Sequence, residues 1–265
     1  MADITIHGQT YTGVNTVKYV NGANTYDLEK LILNGTVVFE KVPDFPAKKA
    51  LSLMTWQDIS TVCKAGKASE YWNVGDTKPI TINGVSYNVV LIGFDHDDVT
   101  DSTSYGRSKA GATFNLLEVT DTKYKMATDE NLCDNWTIST IRSSTLPTIL
   151  SQLESDLRSV IVPVDKSYNI YSSSSPAYGT TSDSLFLLST PEVGGSGTTD
   201  GTEYSYFSTA TNRSKKRRDG SKADWWLRSL FGYYKGYEFR RVLSSDILSS
   251  LLCTNALPIS FAFCV

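Results

Sequence analysis

Histidine, cysteine and carboxylate side chains carry most protein chemistry, and this chain offers few of them in useful spacing. It has two histidines, His7 and His96, so any histidine-based triad has a single candidate base outside the N-terminal stretch. His96 lies in "FDHDD", where Asp95, Asp97, Asp98 and, further on, Asp101 could offer oxygens to a hard cation. The loop lacks the glycine and distal glutamate of a calcium loop and reads as a solvated acidic loop. The four cysteines, Cys63, Cys133, Cys253 and Cys264, show neither a CxxC pair nor metal-ligand spacing. They read as free thiols made in a reducing compartment. "GGSG" at 194–197 has no following Lys-Ser/Thr and reads as a linker, not a phosphate cradle. The run Lys215-Lys216-Arg217-Arg218 reads as a solvated loop tip. The residues therefore point to no catalytic group, no metal and no cofactor.

Aromatic surface is the stronger signal. "DWWLRSLFGYYKGYEFRRV", residues 224–242, puts seven rings into the fifteen positions from Trp225 to Phe239, interleaved with glycines and with Lys235, Glu238 and Arg240. A core can absorb some of that area. The glycines and charges argue that a core does not hold all of it. Tyrosine, serine and glycine suit recognition surfaces, because Tyr offers broad contact for few frozen torsions.

The elements that must position these rings follow from composition and pattern. A net charge of −3 over 25 basic and 28 acidic side chains creates no field that selects nucleic acid or an anionic membrane as partner. No apolar run approaches the roughly 18 residues of a membrane span, and "MADITIHGQT" lacks a leader's basic and apolar regions. The expectation is a soluble protein made in the cytosol. Residues 1–45 alternate β-branched and polar residues around His7-Gly8, Asn21-Gly22 and Asn34-Gly35, which predicts a small β unit of hairpins. "KVPDFPAKK" follows as a linker ending near residue 48.

Beyond it, Thr55 caps a predicted helix with Asp58 in its first turn and Gly66 near its end. Asn83-Gly84 predicts a hairpin whose second strand, Tyr87–Phe94, enters a core. Ile138, Ile141, Leu146, Ile149, Leu150, Leu153 and Leu157 recur at helical spacing interrupted by Pro147, which predicts two consecutive helices. "SLFLLST" predicts a short buried strand. Strands and helices in this irregular order define an α+β domain over residues 46–265.

A set of ordered blocks resembles a known family. "LIGFDHDD" at 91–98, "WTISTIR" at 136–142, "DSLFLLSTPEV" at 183–193, "WWLRS" at 225–229 and "FAFCV" at 261–265 resemble the DUF6273 type of bacterial and phage domain. That domain is similar to the C-type-lectin fold shared with formylglycine-generating enzymes. The resemblance spans roughly residues 50–265, and the leading "ITIHGQTYTGVNTVKY" is similar to short N-terminal units of phage tail and baseplate proteins. Proteins of this architecture include the variable proteins of diversity-generating retroelements, in which a rigid frame presents a hypermutated ligand site.

Trp225, Trp226, Arg228, Phe239, Val242, Ala262, Phe263 and Cys264 match that frame, while Pro258 stands where glycine is commoner and Ser260 where arginine often occurs. The resemblance implies a scaffold of Trp225, Trp226, Arg228 and Phe239, with the Arg228 guanidinium bonded to nearby backbone or carboxylate. It implies a variable region of about 226–260 whose ligand-binding residues are Leu230, Phe231, Tyr233, Tyr234, Tyr237, Leu243, Asp246, Ile247, Leu251 and Leu252. Periodicity alone reads 243–256 as an amphipathic helix, whereas the frame requires loops and short strands there; the latter reading is adopted.

The implied function is a phage or prophage receptor-binding protein on the virion tail, synthesised in the bacterial cytoplasm and not an enzyme. Its ligand would be a host-surface protein or glycan. Its N-terminal unit would attach to a tail or baseplate protein, with a homotrimer suited to that attachment and with neither nucleic acid nor membrane insertion involved. The rival classes are an oxidase related to the formylglycine-generating enzymes and a structural tail or capsid decoration protein.

Overall fold

The computed structural model describes residues 2–6, 9–14, 17–21, 24–28, 30–33, 36–40, 45–130, 133–170, 177–231 and 237–265. The chain divides into two compact units, Met1–Pro46 and Ala47–Val265. In the first, strands β1 (Ala2–Ile6) and β2 (Gln9–Val14), β3 (Val17–Asn21) and β4 (Asn24–Leu28), and β5 (Lys30–Leu33) and β6 (Thr36–Glu40) pair as three antiparallel hairpins. His7-Gly8, Gly22 and Asn34-Gly35, and residues 41–44 of the expected linker, lie outside the described residues.

The second unit starts with the predicted helix. In α1 (Trp56–Lys64) the Thr55 hydroxyl accepts the Asp58 amide and caps the orphan first turn, and Trp56, Ile59, Val62 and Cys63 bury one face. A short helix α2 (Ala68–Tyr71) follows. The hairpin of β7 (Thr77–Ile82) and β8 (Val85–Phe94) turns at Asn83 and Gly84, both in the left-handed region at φ 48° and 77°. A two-residue turn of that hand matches the twist of its strands, and Asn-Gly is the pair that adopts it at least cost.

After the one-turn helix α3 (Ser102–Tyr105) comes β9 (Ala112–Leu116), which is buried throughout. The short β10 (Tyr124–Lys125) precedes the helical region. The Ile138–Leu157 pattern departs from expectation there: the chain forms a 3-10 turn at Trp136–Ile138 and a π turn at Ile141–Thr145 that runs directly into α4 (Leu146–Gln152), and α5 (Ser155–Arg158) follows. The break falls at Leu153, which bridges to Ile82, and not at Pro147. Pro147 sits in the first turn of α4, where its missing N–H leaves little unsatisfied. Ile138 consequently points away from the core at 39% exposure.

Strands β11 (Val164–Ile170) and β12 (Ala177–Asp183) form a hairpin, β13 is Phe186–Leu187, and β14 (Lys215–Lys216) pairs β15 (Lys222–Ala223). Next, β16 (Trp225–Leu230), β17 (Glu238–Val242) and β18 (Leu248–Leu252) make a three-stranded sheet. Residues 248–252 are therefore a strand, not part of a helix. The chain closes with β19 (Ala256–Leu257), paired to β10, and β20 (Phe261–Cys264). A five-stranded antiparallel sheet ordered β13-β20-β9-β8-β7 forms the centre, so the last strand lies between two others. Its five strands and surrounding elements give the mixed α and β composition of an α+β fold.

Cys133 and Cys253 form a disulfide across 120 residues of sequence, with Cα atoms 6.2 Å apart. The reading of four free thiols is corrected: Cys63 and Cys264 are free and buried, the other two are bonded. Spacing could not reveal the pair, because β18 brings Cys253 to the 127–133 segment only through long-range contacts such as the Ala127 amide donating to the Cys253 carbonyl. Closing so long a loop restricts the unfolded chain strongly. Replacing Cys133 with alanine should lower stability by about 3 kcal/mol in urea unfolding under oxidising conditions. The difference should vanish when both proteins are fully reduced.

Candidate ligand-display surface

Beneath the three-stranded sheet lies a buried network of four charges. Lys166 of β11 donates to Asp97 at 2.6 Å and forms an ion pair with Glu192 at 2.5 Å, and Arg228 of β16 forks onto the Glu192 carboxylate at 2.5 and 2.8 Å. The remaining guanidinium donors reach the carbonyls of Ser167, Leu187 and Asp200 at 2.9, 2.8 and 2.7 Å. The Tyr204 hydroxyl donates to Asp97 at 2.8 Å, Thr113 adds a further hydroxyl, and the Ser189 amide donates to Glu192. All four charged side chains are buried.

Burial alone would raise the Asp97 and Glu192 carboxyls, yet Lys166 beside the first and Arg228 with Lys166 beside the second hold both below the usual carboxylate range. Burial likewise works against the charge on Lys166 and is outweighed by Asp97 and Glu192. The four charges cancel. Asp97 thus corrects the reading of "FDHDD" as a solvated loop: only its neighbours Asp95 and Asp98 reach solvent, where they pair with Arg107 and Lys109. His96, the candidate base, stacks on the Tyr204 ring at 3.9 Å and shares a hydrogen bond with the Thr202 hydroxyl at 3.2 Å. Burial lowers its pKa. Among the described residues, no group of three or more His, Cys, Asp or Glu side chains could hold a metal ion.

Two further readings change. Lys215 is buried, donates to the Leu116 carbonyl at 2.5 Å and lies 5.4 Å over the Trp225 ring, so the basic run is not simply a solvated tip. Its partner lies 99 residues away, beyond the reach of local pattern. The "GGSG" segment is packed and not a linker: a Cβ on Gly195 would come within 2.3 Å of Leu248 and 2.6 Å of Thr190. Only glycine lets that loop lie on the sheet.

Register divides the sheet's faces, since directly opposed residues share one. Leu230, Phe239 and Leu251 oppose one another in a row turned to the core. Leu230 is 5% exposed and so is part of the scaffold, a correction to its expected place in the ligand site. The next row is turned outward: the Phe231 amide donates to the Glu238 carbonyl, and Glu238 opposes Leu252. Phe231 is 45% exposed and Leu252 41%.

The turn joining β17 to β18 is closed by the Leu243 amide on the Ile247 carbonyl, with Asp246 in the left-handed region at φ 69°. Ile247 stands 61% exposed at its edge, while Leu243 and Asp246 are half-buried. Leu251 and Tyr237 are half-buried against the core, Tyr237 with φ 52°, so neither projects freely as expected. Strand pairing turns Leu251 inward, and the Tyr237 carbonyl is held by the Cys253 amide. Tyr233 and Tyr234 lie outside the described residues. Trp225 and Trp226 are buried, their indole N–H groups on the carbonyls of Arg213 and Tyr124.

One residue that the sequence showed only as a charge interleaved among the rings stands out. Between the Trp226–Arg241 and Leu230–Phe239 pairs, Leu227, Arg228 and Ser229 bulge out of the ladder, and the Arg228 amide bonds to Leu188 instead. Arg240 faces that bulge. Its alternation with Glu238 was the available signal.

The second unit is thus an α+β domain in which a locked charge network underlies a partly apolar outer sheet face. The chain belongs to the DUF6273 family, described as a domain of unknown function, which matches residues 116–265. No curated protein and no solved structure matches it.

Burial lowers the Lys215 ammonium to about 7, with Glu118 opposing. The unfolded chain therefore keeps a proton that the folded one releases between about pH 7 and 10, and stability contributed by this group rises with pH there by up to about 1.4 kcal/mol per unit. Urea unfolding at pH 7.5 and 9.5 should show the wild type gaining stability relative to Lys215→Met. Arg228→Met should cost about 4 kcal/mol at pH 7 in the same assay, because Glu192 is left buried without its principal partner.

Proposed function

We propose that this protein is a non-enzymatic ligand-display protein of a phage or prophage, carried on the virion tail and binding a host-surface molecule. Its second unit would be a C-type-lectin-like domain, diversified by a retroelement over about residues 226–260, and its first unit would attach it to a tail or baseplate, as a trimer. The observation carrying the reading is that Phe231, Ile247 and Leu252 are three of the six large hydrophobic side chains exposed among the described residues. All three fall in one sheet and its turn. A folded domain leaves such side chains in water at a cost that contact with a partner recovers.

Supporting this, the inner face of the same sheet is fixed by the Arg228 network and by the disulfide, so outer residues can change without loss of the frame. A disulfide also suits a protein that acts outside the reducing cytoplasm. None of the helices among the described residues is long and apolar enough to cross a membrane, in keeping with attachment by protein contacts. Several copies on one tail would raise effective concentration and compensate for weak single-site binding.

Immobilised wild-type protein should retain material from a host cell-surface extract. Phe231→Ala with Leu252→Ala should weaken retention roughly 30-fold, as expected for a loss of about 2 kcal/mol at centrally buried contacts. Ile138→Ala, exposed elsewhere, should leave it unchanged. Absence of any retention, or retention indifferent to the double substitution, would refute the proposal.

A further inference from the structure

Arg240 is bound to nothing that explains its position. Most arginines here are committed: Arg107, Arg142, Arg218, Arg228 and Arg241 pair with carboxylates, and Arg158 and Arg213 donate to carbonyls. Of the arginines among the described residues, only Arg217 and Arg240 make no side-chain hydrogen bond. Arg217 lies at the β14–β15 turn without an aromatic beneath it. Arg240 instead lies over the Phe231 ring, its Cζ 4.5 Å from the ring centre, and its Nε is buried without a partner. The β16 bulge leaves Arg240 without a ladder partner on that strand. Gly197 lies beside its Nη2, where a Cβ would make an ordinary contact at 3.4 Å.

A guanidinium held over a ring has already lost much of the freedom that binding would otherwise cost, and its fork matches a planar oxyanion bidentately. The charges around it decide which oxyanion. Glu238 stands two residues before Arg240 on the same face of β17 and already accepts from the Ser250 hydroxyl, and the buried Asp200 carboxylate also acts on Arg240. Two nearby negative charges disfavour a dianionic phosphate more than a singly charged carboxylate. The remaining surroundings suit a sugar, because Phe231 is 45% exposed and can receive the apolar face of a ring while Ser250 and Glu238 meet hydroxyls.

We infer that Arg240, lying over Phe231, is the specificity-determining residue of the outer face and takes the carboxylate of an acidic sugar in a bidentate pair. This rests on the display function proposed above.

The test uses full-length protein and glucuronate as probe, with glucose, inorganic phosphate and N-acetylaspartate alongside, followed by the Arg240 side-chain NMR resonance. Glucuronate should shift that resonance saturably, glucose and phosphate at least tenfold more weakly. Arg240→Lys, which keeps the charge but loses the planar fork, should weaken glucuronate at least tenfold with unfolding unchanged. No saturable shift with glucuronate, or undiminished binding by Arg240→Lys, overturns the inference, and equal binding of N-acetylaspartate overturns the assignment to a sugar. Extract retention that persists in Arg240→Lys would sink this inference while leaving the display function standing, whereas loss of retention in wild type would sink the function itself.

Discussion

The ion network joining Arg228, Glu192, Lys166 and Asp97 sets the terms for everything around it. Four charges removed from water would be ruinous singly, and replacing them with apolar groups is often no worse for stability. What the network supplies is placement. Each donor of Arg228 and Lys166 is matched by an oxygen at hydrogen-bonding distance, and those oxygens come from β11, the strand and turn at 187–192, the loop at 97 and the segment at 200. A shift of any of these elements would strand a charge. The three-stranded sheet inherits that rigidity because Arg228 is one of its own residues.

From this follows a division of labour within a single strand pair. The bulge that lets Leu227, Arg228 and Ser229 reach inward also removes the ladder partner that Arg240 would otherwise have had. Scaffold and surface are therefore coupled by one irregularity: the same residues that close the core open the outer face. The glycine loop at 194–197 fits this arrangement, with Gly195 against Leu248 and Gly197 beside Arg240.

Local features were legible in the chain. Thr55 and Asp58 announced α1, and Asn83-Gly84 announced the β7–β8 hairpin, because caps and two-residue turns depend on neighbours in sequence. Arg228 was legible only through resemblance to a family frame. Asp97 and Lys215 were misread because the groups that bond to them lie 69 and 99 residues away. Cys133 and Cys253 were missed for the same cause. Leu230 was misplaced because its orientation is settled by register against Phe239, and a single-residue change of register exchanges inside for outside. Pro147 was read as a helix break, but a preceding π turn put it where proline is tolerated.

The place of β20 has a bearing on biosynthesis. Phe261–Cys264 is flanked by β13 and β9 in the central sheet, so the ribosome must translate through Cys264 before that sheet can close. Until then β13 and β9 both present unpaired edges, an interval in which chaperones or sister chains have access. A frameshift upstream of Phe261 would deprive the sheet of that strand, so a check on the integrity of the whole domain is built into the order of the chain itself.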